Sequence, residues 1–179
     1  MRRLCEALEA ALARALTVLV AAMVLTVGWQ VLSRLMARGS VAFDLPLVVE
    51  PSRWTEELAG FQLAWLALLG AVYALRRREH PGFDLVHGKL PAPARRFADL
   101  TAPGLVAAFS LLVLGYGGAR LVAMTLDLGQ TTPALGWPMG LVYSVIPASG
   151  ALMGLFAVEE LAEQWRGEAP EARSREDAV

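Results

Sequence analysis

Charged side chains are absent from four stretches of this chain, residues 15–33, 58–75, 100–119 and 137–158, and crowd the segments between them. Each stretch reaches the ~18 to 20 residues that a helix rising ~1.5 Å per residue needs to cross a ~30 Å hydrocarbon core. Lipid offers the backbone no hydrogen bonds, and the stretches are rich in Leu and Ala, as at 63–69, so the pattern predicts helices rather than barrel strands. None carries the polar stripe of a water-facing helix, which argues against a soluble bundle. The expected fold is an all-α membrane protein with four transmembrane helices, at about 15–34, 57–76, 100–122 and 137–158, and with short amphipathic helices on the interface. The four-helix domain is expected over 1–163, ahead of a polar, disordered tail over 164–179.

Composition agrees with that pattern. Hydrophobic residues make up 56% and charged ones 18%, against about 45–50% and about 25% in soluble domains. The first stretch is longer than the ~7 to 15 apolar residues of a signal peptide, and Ser33-Arg34-Leu35 is no small-residue cleavage site, so an uncleaved helix is expected. A net charge of −1 gives no pull toward nucleic acid, and Cys5, the single cysteine, excludes an intramolecular disulfide. The cations set the orientation. Arg2, Arg3 and Arg14 precede the first stretch, Arg76, Arg77, Arg78, Lys89, Arg95 and Arg96 separate the second from the third, and Arg166, Arg173 and Arg175 follow the fourth. The opposite side holds Arg34, Arg38, Arg53 and Arg120. The positive-inside bias therefore predicts both termini in the cytoplasm.

The connecting segments add detail. Leu4, Leu8, Leu12 and Ala15 keep helical spacing, so Arg2 to Arg14 either extends the first helix along the interface or forms a polar lead-in. Pro46 and Pro51 break the loop from 35 to 55, which leaves room for a short amphipathic piece. Thr55 is the expected N-cap of the second helix, Glu56 and Glu57 fill its first turn, and Arg76 to Arg78 close its last. Phe83, Val86 and Leu90 share one face of a short interfacial helix that Pro91 stops. No internal repeat is visible, so this chain does not encode an inverted-repeat transporter core.

The charge-free stretches offer little chemistry. Both histidines, His80 and His87, fall between the second and third stretches, so the paired intramembrane ligands of a di-haem anchor are missing. Asp84 lies between them, but Pro81-Gly82 interrupts the helix a metal site would need. Ser144 and Ser149 have no activating histidine or carboxylate nearby in sequence and read as packing hydroxyls, so no catalytic, cofactor or metal site is expected. Gly115-Tyr116-Gly117-Gly118 reads as close helix packing, and Gly150 with Gly154 as a small-xxx-small contact, either internal or with a partner subunit. Pro147 should bend the fourth helix near its middle. Gln30 and Gln62 fall at similar depth on antiparallel neighbours and are expected to face the bundle interior, where a bond between them is one option, with about 0.6 to 1.7 kcal/mol at stake. Arg34 and Glu57 reach one level and are expected to pair. If the third helix continues to Leu126, Arg120 must snorkel outward or find a carboxylate such as Asp127.

Two groups of residues carry a family resemblance. The first is Trp54-Thr-Glu56-Glu57-Leu-Ala, Trp65-Leu-Ala-Leu-Leu-Gly70-Ala, Arg76-Arg-Arg and Glu79-His80 with Asp84-Leu after it. The second is Gly129-Gln130-Thr-Thr132-Pro133-Ala-Leu-Gly136-Trp-Pro138-Met139, followed by Pro147-Ala-Ser-Gly150-Ala-Leu-Met153. Together they resemble the signatures of the small, four-span DctQ-type membrane subunit of tripartite ATP-independent periplasmic (TRAP) transporters. Pro81-Gly82-Phe83 departs from the apolar-basic run usual in that family, and the loop between the first two helices is longer than typical. The resemblance implies a non-enzymatic protein of the bacterial inner membrane without cofactors. Its implied partners are a large multi-span permease subunit, which it scaffolds, and an extracytoplasmic solute-binding protein. It implies sodium- or proton-driven import of organic anions such as carboxylates, with the substrate and ion sites on the large subunit. It also marks Trp54, Glu56, Glu57, Trp65, Arg76 and His80 as structural or partner-contact positions, and Gln130, Pro133, Pro138 and Pro147 as shaping the fourth helix. Boundary anchoring by Trp54 and Trp137 and dipole pairing by the glutamates account for some of the same positions more simply. The competing classes are a stand-alone four-helix exporter or channel and the membrane anchor of a redox complex.

Overall fold

In the computed structural model, which describes residues 2–42, 52–77 and 92–165, the charge-free stretches form the cores of helices that extend beyond them. Helix α1 spans Arg2–Ala42 and α2 spans Arg53–Arg77. Helix α3 (Ala92–Phe109), a π-helical stretch (Ser110–Gly117) and α4 (Gly118–Asp127) follow one another without a break and form a single rod. Helix α5 (Met139–Tyr143) and α6 (Val145–Trp165) make up the last span. The described residues contain four spans long and apolar enough to cross a membrane, Cys5–Ser40, Arg53–Arg77, Thr101–Asp127 and Met139–Trp165. The all-α, four-span expectation therefore holds. Beside the helices there is one isolated antiparallel bridge, Thr131 to Pro138.

Of the two readings for residues 2–14, the structure takes the continuous helix: α1 has 41 residues. At ~1.5 Å per residue it is about 60 Å long, twice the hydrocarbon thickness. At its other end it carries on through Arg38 to Ala42, into what the prolines suggested was loop. The segment with Pro46 and Pro51, the proposed interfacial helix at Phe83–Leu90, both histidines with Asp84, and residues 166–179 lie outside the described residues. Thr55 is not the N-cap of α2. The helix begins at Arg53, and the buried Thr55 hydroxyl donates to the carbonyl of Ser52 at 2.7 Å. Glu56 in the first turn and Arg76 and Arg77 in the last do match the helix dipole.

The spans pack as an open row in the order α1, α2, α6 and the α3–α4 rod, each antiparallel or parallel to its neighbours as chain order requires. Self-burial is low: 11% of the most apolar window of the first span is buried, and 39% of the last. Helix α1 meets the row along one narrow seam. Its buried positions are Cys5, Leu12, Thr26, Ser33 and Ser40, with half-buried Leu19 completing a seven-residue repeat. A strict seven-residue period keeps one edge facing a partner helix that crosses at a shallow left-handed angle. Beyond Leu19 the seam consists of small hydroxyl residues. Thr26, Ser33 and Ser40 donate to the carbonyls of Ala22, Gln30 and Ala37, each at 2.9 Å, so they are buried without needing a partner across the interface.

Glycine sets the contact between α6 and the rod. A Cβ on Gly150 would lie 2.5 Å from the backbone nitrogen of Gly115, and one on Gly154 would lie 2.5 Å from Leu111 Cδ2. A Cβ on Gly118 would lie 2.9 Å from the nitrogen of Pro147. The small-xxx-small pair is thus an internal contact, and the Gly115–Gly118 cluster is its other half. The π-helical stretch coincides with the length of rod that this contact occupies. Pro147 breaks the last span at Ser144, nearer its start than its middle. A proline ring clashes with the carbonyl four residues earlier, here Tyr143, and donates nothing to it.

Gly150→Ala should lower stability by about 1 to 3 kcal/mol, because the backbone of the rod must move to admit the methyl group. Gly60→Ala, where nothing lies within 4 Å, should leave the thermal midpoint in detergent unchanged. Equal midpoints for the two variants would remove the close-approach argument.

Candidate functional site

Polar side chains are concentrated at the two ends of the row. At the end where α1 begins and α2 and α6 finish, Arg76 is the junction, with a side chain only 5% exposed. Its Nη1 donates to Glu159 Oε2 of α6 at 2.7 Å, and its Nε donates to Glu9 Oε2 of α1 at 3.3 Å. Glu159 is 7% exposed and Glu9 26%. Arg77 approaches the other Glu9 oxygen at 3.5 Å from outside. The Arg76 Nη2 is buried without an acceptor, and the Phe156 ring covers the guanidinium at 5.2 Å from Cζ. Cys5, Leu12, Val72 and Phe156 close around this network as the apolar core of the chain. One guanidinium thus joins three helices.

At the opposite end, α4 stops at Gly129, whose φ of +60° is the left-handed cap that glycine tolerates best. The amide of Gly129 donates to Leu126 O and that of Gln130 to Thr125 O, which completes the cap. Residues 130–139 then fold into a tight hairpin. Thr132 N–H donates to Trp137 O at 2.8 Å, Trp137 N–H to the Thr132 hydroxyl at 3.0 Å, and Met139 N–H to Gln130 O at 2.9 Å. Gly136, at φ +67°, turns the chain back. The tip is fastened to α2 by Glu57, whose Oε2 accepts from the amides of Ala134 and Leu135, both at 2.9 Å. Glu57 therefore does not pair with Arg34. Arg34 binds Glu56 instead, the neighbour whose side of α2 faces α1, and that pair is half exposed.

The remaining sequence-derived positions fall as follows. Trp65 reaches across from α2, and its indole N–H donates to the Val142 carbonyl at 3.0 Å, at the break between α5 and α6. Gln62 is buried, as an interior-facing position should be, and Gln30 half-buried, but no bond joins them and Gln62 Oε1 is left unbonded. Trp54, Gln130, Pro133 and Pro138 are exposed, and His80 lies outside the described residues. The rod does continue to Asp127, which leaves Arg120 inside it, exposed and without an ion pair to Asp127 or to any other described residue. Ser144 and Ser149 donate to Leu141 O and Ile146 O of their own span, as packing hydroxyls do. Among the described residues, no three His, Cys, Asp or Glu side chains converge as metal ligands would.

Sequence reasoning missed Glu9, Glu159 and Thr132. The first two have a legible signal. Glu159 is the first charge after the fourth apolar stretch, Arg76 the first after the second, and Glu9 lies just ahead of the first, so all three fall at one end when the helices alternate. Thr132 has no such signal, because its role depends on the turn around it.

Residues 47–167 match the family model described as tripartite ATP-independent periplasmic transporters, DctQ component. The chain is 37% identical over 100 residues to the C4-dicarboxylate TRAP transporter small permease protein DctQ of Rhodobacter capsulatus, covering 56% of this chain and 44% of that one. It is 30% identical over 113 residues to the isethionate TRAP transporter permease protein DctMQ of Oleidesulfovibrio alaskensis, covering 63% and 18%. It is 31% identical over 105 residues to the sialic acid TRAP transporter small permease protein SiaQ of Vibrio cholerae, covering 55% and 61%. The chain thus spans less than two thirds of the length of each of these curated relatives.

Arg76→Met should destabilise the chain by about 3 to 5 kcal/mol, since it leaves Glu159 buried and uncompensated. Replacing Glu159 with Met in the same chain should recover most of that loss; unfolding in detergent would show a double variant no better than the single one if the pair were not coupled. Glu57→Ala should remove hydrogen bonds to a charged acceptor, each worth about 1.5 to 3 kcal/mol. Amide hydrogen exchange at Ala134 and Leu135 should then accelerate while that of α6 stays slow.

Proposed function

The chain belongs to the DctQ component family of tripartite ATP-independent periplasmic transporters, and from that premise we propose that it is the small permease subunit of such a transporter. In this reading it braces a large multi-span permease subunit, to which an extracytoplasmic solute-binding protein delivers an organic anion for gradient-driven import. The named relatives support the substrate class: a C4-dicarboxylate, isethionate and sialic acid are all organic anions. The isethionate permease, of which this chain matches 18%, supports a division of labour in which most of the permease is another part.

The observation that carries the bracing role is the use made of the charged side chains. Arg76, Glu9, Glu159 and Glu57 hold helices and a hairpin to one another at the two ends of the row. Such groups serve rigidity rather than a cargo that must bind and leave. In this reading the chain is a non-enzymatic subunit of the bacterial inner membrane with both termini in the cytoplasm, so that the Arg76 end faces in and the hairpin out; the excess of cations on the Arg76 side supports that orientation. Residues 1–163 then form the membrane domain and the polar remainder a tail. Trp54, Gln130, Pro133 and Pro138, exposed at the hairpin end, are contact positions for the other components.

Vesicles containing this chain, the large permease subunit and the binding protein of the same system should accumulate organic anion when an ion gradient is imposed. Vesicles lacking this chain should not, and neither should vesicles with this chain alone. Uptake by the chain alone would favour a stand-alone transporter and defeat the proposal.

A further inference from the structure

The exposed side of the α3–α4 rod carries Leu105, Phe109, Leu112, Tyr116, Arg120 and Met124 in succession, one turn apart. Two of these end in polar groups. Neither the Tyr116 phenol nor the Arg120 guanidinium has a hydrogen-bond or ion-pair partner among the described residues. Arg120 precedes Asp127, the last residue of the rod, by about 10 Å of helix rise, so it lies within the apolar length of the span. Side chains on a helix lean toward its N-terminus. Both groups therefore start out toward the middle of the rod, away from its nearer end. A guanidinium placed this way must double back along its own stem to reach headgroups, which makes snorkelling a poor solution here.

We propose that this face seats a transmembrane segment of the large permease subunit that presents a carboxylate to Arg120 and an acceptor to Tyr116. The inference rests on the small-subunit reading above and adds which face of the row is covered and by what chemistry. Charge complementarity selects that occupant. The face offers two donors and no carboxylate before Asp127, so its partner must bring the acceptors at matching depth. A phospholipid phosphate at the boundary lies about 10 Å of helix rise beyond Arg120 and about 16 Å beyond Tyr116, so it serves neither well. A second copy of this chain, packed by a two-fold axis on the same face, brings Arg120 toward Arg120.

The test uses the complete transporter, with the photoreactive residue p-benzoylphenylalanine at position 116. Irradiation should join this chain to the large permease subunit. A product with lipid alone, with a second copy, or no product overturns the proposal. In parallel, Arg120→Leu should weaken retention on the large subunit by about 30-fold, as loss of an interface hot spot does, and Arg120→Lys should restore most of it. The melting temperature of the isolated small subunit should be the same for all three, because Arg120 has no hydrogen-bond or ion-pair partner among the described residues. Wild-type retention by Arg120→Leu also overturns the proposal. If the complex forms and transports while position 116 labels lipid, this inference fails alone; if the wild-type chain does not bind the large subunit, the small-subunit reading fails with it.

Discussion

The guanidinium of Arg76 is the point on which the row of helices depends. Between helices surrounded by lipid there is no hydrophobic drive, because a leucine is as well solvated by acyl chains as by another leucine, and association rests on close packing and polar contacts. Arg76 spends its donors on Glu159 of α6 and Glu9 of α1. It thereby connects α1 and α6 through one side chain of α2. Burial strengthens the arrangement and also makes it unforgiving, since each of the charges is tolerable only while the others are in place.

The other end is held by a different device. Glu57 accepts two adjacent backbone amides at the tip of a hairpin whose own turn is closed by Thr132 and Gly136. Between the two ends, Gly150 and Gly154 bring α6 against the π-helical stretch at backbone distance, where many weak atom–atom attractions add up. Trp65 ties α2 to the carbonyl of Val142 at the proline-induced break, where a helix has polar backbone to spare. The row is thus fastened at both ends and pressed together in the middle.

The same economy leaves broad apolar faces uncovered. Helix α1 touches the row along a single seven-residue seam, and between Leu105 and Met124 the large side chains on the outer side of the rod are apolar apart from Tyr116 and Arg120. In lipid an exposed leucine carries no information, whereas an unpaired donor does, because hydrocarbon cannot satisfy it. That contrast separates faces that lipid alone can cover from one that asks for a protein neighbour.

Much of this was legible along the chain. Four stretches without charge are long enough to span a bilayer and too long and too uniformly apolar for barrel strands, which leaves helices; that much follows from residue order alone. So do a close helix approach at Gly150 and Gly154 and a break caused by Pro147, because each is a local property of backbone and Cβ, whereas the partner of the glycines and the place of the break were settled by packing. Pairings were not legible in the same way. Depth arithmetic puts Arg34 level with both Glu56 and Glu57 and Gln30 level with Gln62, but cannot say which side of each helix faces its neighbour. Rotation about the helix axis is decided by packing of all four spans at once. Only that rotation hands Glu56 to Arg34, frees Glu57 for the hairpin, leaves Gln62 unbonded and turns Arg120 outward. Sequence determined the spans and their punctuation, and tertiary structure decided their partners, since a helix fixes the height of a side chain by itself but its direction only against other helices.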